Sequence, residues 1–101
     1  MAVFLTQDLD ADSASSVSAE LDLTTETIVT LYVFHKTGPN DNHRVVLQAS
    51  PVTTGGKWRQ VGQVVNGIGI ATTTVSAQRI RAKMFSVEGT ASSVEIHMVA
   101  N

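Results

Sequence analysis

Several stretches of this chain hold residue types that could do chemistry. Asp8-Leu9-Asp10-Ala11-Asp12 spaces three carboxylates at alternate positions, as the opening of a calcium loop does. The sixth position of such a loop is Ser13 where glycine makes the sharp turn, and the twelfth is Ala19 where a bidentate glutamate belongs. That excludes an EF-hand. Asp8, Asp10 and Asp12 remain either a looser calcium site completed by another loop or turn-forming aspartates at a solvated strand end. His35 and His43 flank Asp41 across one loop, so two imidazoles could face a cation there. Two ligands do not close a site, and the expectation is loop-base histidines with no resident metal. His97 falls on a polar strand face elsewhere.

Catalytic patterns are absent from the sequence. It contains no Gly-x-Ser-x-Gly elbow and no carboxylate pair that can be placed around a cleft. With no cysteine, thiolate nucleophiles, thiolate metal sites and disulfides are excluded. Gly62, Gly67 and Gly69 flank a turn with no helix N-terminus behind it, so they do not form a phosphate loop. These observations predict a protein that is not an enzyme and carries no cofactor.

The elements that must position these residues are strands. At 101 residues the chain makes one domain, 1–101, and 43% hydrophobic residues give it enough apolar surface for a core. Charged residues are 16% and the formal net charge is −2, which is no footprint for nucleic acid or a polybasic membrane anchor. The apolar run from Ile28 to Phe34 is too short to span a bilayer. The opening Met1 to Leu5 lacks a basic stretch and meets Asp8 almost at once, so no secretory signal is expected. Valine, threonine and serine are abundant, which favours pleated, half-buried surfaces. Eight strands are predicted, near 2–9, 15–23, 27–35, 43–50, 57–65, 68–75, 78–87 and 91–99, separated by turn residues. The second is the weakest, since Val17 and Leu21 also fit one face of a short helix. The fold class is all-β, a single antiparallel β-sandwich of about eight strands, jelly-roll-like.

Alternation suggests three hairpins, because opposite residues of an antiparallel pair share a face. Asn66-Gly67 would turn Val65 onto Ile68 and Val61 onto Thr72. A turn at Glu88-Gly89-Thr90 would set Ile80, Ala82 and Met84 against Met98, Ile96 and Val94, with Lys83 beside Glu95 on the other face. A loop from Lys36 to Asn42 would align Val29, Leu31 and Val33 with Ala49, Leu47 and Val45. The strand from Ile28 to Phe34 is apolar on both faces, so it reads as an interior strand with Tyr32 and Phe34 turned outward. Strict alternation also turns Trp58 outward with Val64, Ala71 and Val75, and sends Val61, Val65, Ile68 and Ile70 inward. An outward Trp58 would anchor an interface. Alternatively, a β-bulge near Arg59 or Gly62 would turn it inward as an end plug, and a third reading has it stack on a sugar.

From Arg44 onward the chain resembles a known group. Arg44-Val45-Val46-Leu47-Gln48-Ala49-Ser50-Pro51, Lys57-Trp58-Arg59-Gln60-Val61-Gly62, Arg79-Ile80-Arg81-Ala82-Lys83, Ser86, Gly89 and Val94-Glu95-Ile96 resemble the small β-sandwich structural proteins of tailed bacteriophages. These serve as capsid decoration (cement) or tail-associated components. The likeness covers a little over half of the chain. The loop Pro51 to Gly56 departs from it, being longer than the usual Asp-Gly turn, and a similar strand and Trp section occurs in discoidin-like carbohydrate-binding sandwiches. The resemblance implies a virion protein made in the host bacterial cytoplasm and placed on the capsid surface. It also implies a homotrimer whose partner is the major capsid protein, with a tail, neck or fibre role and glycan binding as alternatives. The residues singled out for an interface are Val3, Phe4, Leu5, Tyr32, Phe34, Trp58, Val64 and Val75.

Overall fold

A computed structural model of the chain describes residues 2–10, 16–37, 43–86 and 93–101. The strands are β1 (Val3–Asp10), β2 (Leu21–Asp22), β3 (Ile28–Thr37), β4 (His43–Ser50), β5 (Arg59–Asn66), β6 (Gly69–Thr74), β7 (Arg79–Ser86) and β8 (Ser93–Ala100). They form two antiparallel sheets, with orders β1-β8-β3-β6 (sheet A) and β2-β7-β4-β5 (sheet B). That arrangement is the double-sheet jelly roll expected from the strand spacing. The weak second segment is a strand only at Leu21–Asp22, and Val17 adds an isolated bridge to Lys83. Between them Ser18 donates its amide to the Ala82 carbonyl and accepts the Ala82 amide on Oγ.

The three expected hairpins are not ladders. β3 and β4, β5 and β6, and β7 and β8 each lie in opposite sheets, so Val65–Ile68, Lys83–Glu95 and Leu31–Leu47 are not cross-strand pairs. Folding one strand over another into a facing sheet buries the same alternate residues that edge pairing would, and period two cannot distinguish the two arrangements. The inward sets of the first and third of these, on β3 and β4 and on β7 and β8, are accordingly as read, whereas Ile68 and Ile70 of the Asn66-Gly67 pair are exposed. Val29, Leu31, Val33, Val94, Ile96 and Met98 come from sheet A, and Val45, Leu47, Ala49, Ile80, Ala82 and Met84 from sheet B; all are buried in one core. Each fully buried side chain of this size stabilises the fold by roughly 1.5–3 kcal/mol relative to exposure. The actual hairpin joins β4 to β5 through residues 51–58.

β5 carries the bulge. Val45 pairs with Val65 and Leu47 with Val61, so four residues on β5 span the distance that two span on β4. Gly62 sits in this excess with φ +74°. A Cβ there would lie 2.0 Å from Thr73 Oγ1 on β6. The glycine therefore permits both the backbone turn and the close approach of the two sheets at this side. At one end His43, 1% exposed, donates from Nε2 to the Gly67 carbonyl (2.8 Å) and accepts the Gly67 amide on its own carbonyl (3.1 Å). At the opposite end Glu26 Oε2 accepts the Thr25 amide at 2.8 Å and the Thr24 hydroxyl at 3.1 Å, closing the turn between β2 and β3.

Gly62→Ala is expected to lower stability by more than about 1 kcal/mol, since left-handed backbone alone costs about 1–2 kcal/mol for a residue with a Cβ. Adding Thr73→Ala returns the steric share and leaves the backbone share, which urea denaturation of the single and double variants separates. The Thr25 amide, aided by the Thr24 hydroxyl, holds the Glu26 carboxyl below its ordinary value of 4.5 against the opposing pull of burial. A depressed folded value gives stability that is present above the unfolded value and lost as pH falls through the folded one. The stability difference between the wild type and Glu26→Gln is therefore expected to narrow on acidification below pH 4.5, measured by denaturation across a pH series.

Candidate interaction surface

The outward side chains of sheet A form a face on which exposed aromatic and aliphatic side chains are interleaved with threonines and a few charged groups. Register aligns Phe4, Val99, Thr30 and Thr72 in one row across the sheet, and Thr6, His97, Tyr32 and Ile70 in the next. A third row holds Asp8, Glu95 and Phe34. The Tyr32 and Phe34 rings lie parallel, 6.4 Å between centroids, and make a ridge along β3. One flank of the ridge is a groove lined by Glu95, His97 and Val99, and the other a groove lined by Ile68, Gly69 and Ile70. Phe34 is 50% exposed, Ile70 59% and Phe4 68%, an unusual exposure for side chains this large.

Hydrogen bonds hold the frame of this face. His97 meets the edge of Phe34 at 5.4 Å, donates from Nε2 to Glu95 Oε2 at 3.0 Å and shares a hydrogen bond between Nδ1 and the Thr6 hydroxyl at 3.1 Å. The Thr30 and Thr72 hydroxyls are 3.1 Å apart, and Lys36 pairs with Asp8 at the rim. The ring that closes one groove wall is thus fixed from both nitrogens, which keeps Phe34 and Glu95 in defined places.

The outward face of sheet B is different in kind. Arg79, 4% exposed, donates from Nε to the Val52 carbonyl (2.8 Å), from Nη1 to Glu20 Oε1 (2.6 Å) and from Nη2 to the Gly55 carbonyl (2.8 Å) and Ser50 Oγ (3.3 Å). Both Arg79 and Arg81 place their guanidinium carbons over the Trp58 ring, at 4.6 and 4.1 Å. Arg81 Nε donates to Gln48 Oε1 at 2.8 Å. Burial lowers the Arg81 pKa; Glu20 opposes that shift and the like charge of Arg79 adds to it. This cluster fastens the 51–58 loop onto the sheet.

The expected site residues divide accordingly. Phe4, Tyr32 and Phe34 lie on the outer face of sheet A, whereas Val3 and Leu5 turn inward, half-buried against the core. Val64 is on β5 in the bulged stretch, on the other sheet. Val75 is 6% exposed and belongs to the core, which corrects its outward assignment. Trp58 is neither an end plug nor part of a patch with Val64 and Val75, because two arginines engage its ring. Ile70, expected inward, pairs with Tyr32 on β3 and faces out, and Ile68 is likewise exposed. The misplacement of both follows from the assumed hairpin. No sequence signal marked Arg79 as buried, since Arg-x-Arg on an alternating strand reads as a solvated face.

The metal readings find little support. His43 is spent on the Gly67 turn, Asp8 on Lys36, and Asp12 and Asp41 lie outside the described residues. Among the described residues no group of three His, Asp or Glu side chains could hold a metal ion. No described helix is long and apolar enough to cross a membrane.

Fold and surface together define a jelly-roll sandwich with one apolar aromatic face and one cationic face. Its backbone is similar to that of the SPBc2 prophage-derived protein YomS, with a TM-score of 0.63 over 97% of this chain and 94% of that one, at 10% identity. It is also similar to a chain from Bacillus endospore appendages, described as disulfide-linked pili, with a TM-score of 0.56 over 99% of this chain and 84% of that one, at 17% identity. At such identities the likeness is one of fold. No protein-family model and no curated protein sequence matches the chain.

Arg79→Ala is expected to cost about 1–3 kcal/mol, because it empties a buried site and leaves the Val52 and Gly55 carbonyls, Ser50 Oγ and Glu20 without their donor. Arg79→Lys should recover less than half of that, an ammonium having no planar fork to reach several acceptors at once. Urea midpoints measure the loss, and faster tryptic cleavage after Lys57 would locate it in the loop.

Proposed function

We propose that this chain is a non-enzymatic structural subunit of a phage-type particle, with the outer face of sheet A as its assembly surface. The observation that carries the reading is the clustering of Phe4, Ile28, Phe34, Ile68 and Ile70 on or beside that one face, five of the seven large hydrophobic side chains that are exposed among the described residues. A solvated monomer gains nothing from such a patch, whereas an assembled subunit hides it. In its specific form the proposal is a capsid decoration protein. Homotrimers bind across seams between major capsid protein subunits on the virion surface, and multivalent burial opposes shell expansion. The fold shared with a prophage-derived protein supports the virion setting, and the fold shared with an appendage chain keeps a tail, neck or fibre position as the alternative.

A second reading rests on the groove beside Tyr32, where an aromatic wall meets Glu95 and His97. A carbohydrate-binding module would use such a floor and rim. Phe34→Ala tests whether this face is used, with urea denaturation alongside to account for its contacts with Tyr32 and His97, and comparing wild type on capsids and on glycans separates the two readings. The expected outcome is that wild type saturates expanded, accessory-stripped capsids at a fixed ratio and raises their melting temperature, while Phe34→Ala loads poorly. Full loading by the variant excludes this face. A wild type that ignores capsids and binds on a glycan array moves the assignment to the second reading.

A further inference from the structure

The charges of the sandwich are sorted between its two faces. Six of the seven Lys and Arg residues, all but Lys36, lie on sheet B or in the loop that enters β5. On the outer face of sheet A three carboxylates, Asp8, Asp10 and Glu95, stand against Lys36. On the outer face of sheet B, Arg44, Arg79, Arg81 and Lys83 stand against Glu20 and Asp22. The apolar residues follow the same plan. At the end of the sandwich where β3 finishes and β4 begins, sheet A presents Phe34 beside Glu95 and Asp8. At that same end sheet B presents Phe85 beside Arg44, with Lys83 Nζ 5.1 Å from the Phe85 ring centroid.

We infer that the partner of the sheet A face is the sheet B face of a second copy of this chain, in a heterologous, head-to-tail contact. The inference rests on reading the sheet A face as an assembly surface, and it names what covers it. A shift of one copy across the thickness of the sandwich sets Phe85, Arg44 and Lys83 over Phe34, Glu95 and Asp8, aromatic on aromatic and cation on carboxylate. The surface needed is present. The molecule measures 37 × 24 × 19 Å. Its broad face is therefore roughly 900 Å², comparable with the about 800 Å² that each partner gives to a standard interface. Repeated as a pure shift, this heterologous contact continues as an open filament, and closing it into a ring such as a trimer takes an added rotation between copies. Either product uses the same two faces.

Sedimentation at low and high salt tests the contact on the isolated protein. Wild type is expected to self-associate, more weakly as salt rises. Glu95→Lys and Lys83→Glu should each weaken association by at least about tenfold, because each sets like charges face to face. The double variant Glu95→Lys/Lys83→Glu, and an equimolar mixture of the two single variants, should regain it. A wild type that stays monomeric at its highest soluble concentration overturns the inference. So does a Lys83→Glu protein that associates like wild type, the result expected if two sheet A faces meet each other. Loading of capsids by Phe34→Ala is read separately, so the head-to-tail contact can fail while the assembly role stands.

Discussion

Interdigitation of two sets of alternate side chains between facing sheets is the constraint on which everything else rests. Leu31 and Ile96 can be buried only if Leu47 and Ile80 are delivered opposite them, and that delivery comes from strands in the other sheet. The chain meets this demand by changing sheets at nearly every connection, and the one adjacent hairpin, β4 to β5, is the one with the long loop. With the inner faces committed to the core, the outer faces are left to diverge in chemistry. One became apolar and acidic, the other cationic and polar.

Closing the sandwich at its margins takes specific polar chemistry in place of further burial. Arg79 draws the 51–58 loop and Glu20 over the end of sheet B, and its guanidinium replaces with fixed donors the water those carbonyls would otherwise need. His43 does the corresponding work at the β5–β6 turn. Gly62 solves a steric problem on the side where β5 and β6 leave their sheets' edges close together. Hydrophobic burial is non-directional, so these few directional contacts select which loops lie where.

The fold class and the core could be read from the sequence because alternation is a local property. Val29, Leu31, Val33, Ile80, Ala82 and Met84 are marked by their immediate neighbours alone. Which strand lies beside which is a property of the whole chain, and Val61, Thr72, Lys83 and Glu95 were therefore given partners they do not have. Tyr32 and Phe34 were legible as outward residues since β3 is apolar on both sides. Ile68 and Ile70 were not, because their side depends on the sheet that β6 joins. The burial of Arg79 depends on a loop folding back across it, which no spacing along β7 records.

The registry of sheet A has a consequence for how the molecule is made. Val3 aligns with Ala100 and Val29 with the same residue, so β8 is the strip between β1 and β3. It is also the last of the eight strands to leave the ribosome. Until it arrives, β1 has no neighbour in its own sheet and β3 has one, and the apolar inner face of β1 must wait, exposed, through the synthesis of all the rest. Folding of sheet A is thus an insertion that completes from the middle, of the distant-pairing kind that folds slowly. A chain arrested before Ser93 would hold seven strands' worth of sequence and no continuous sheet A.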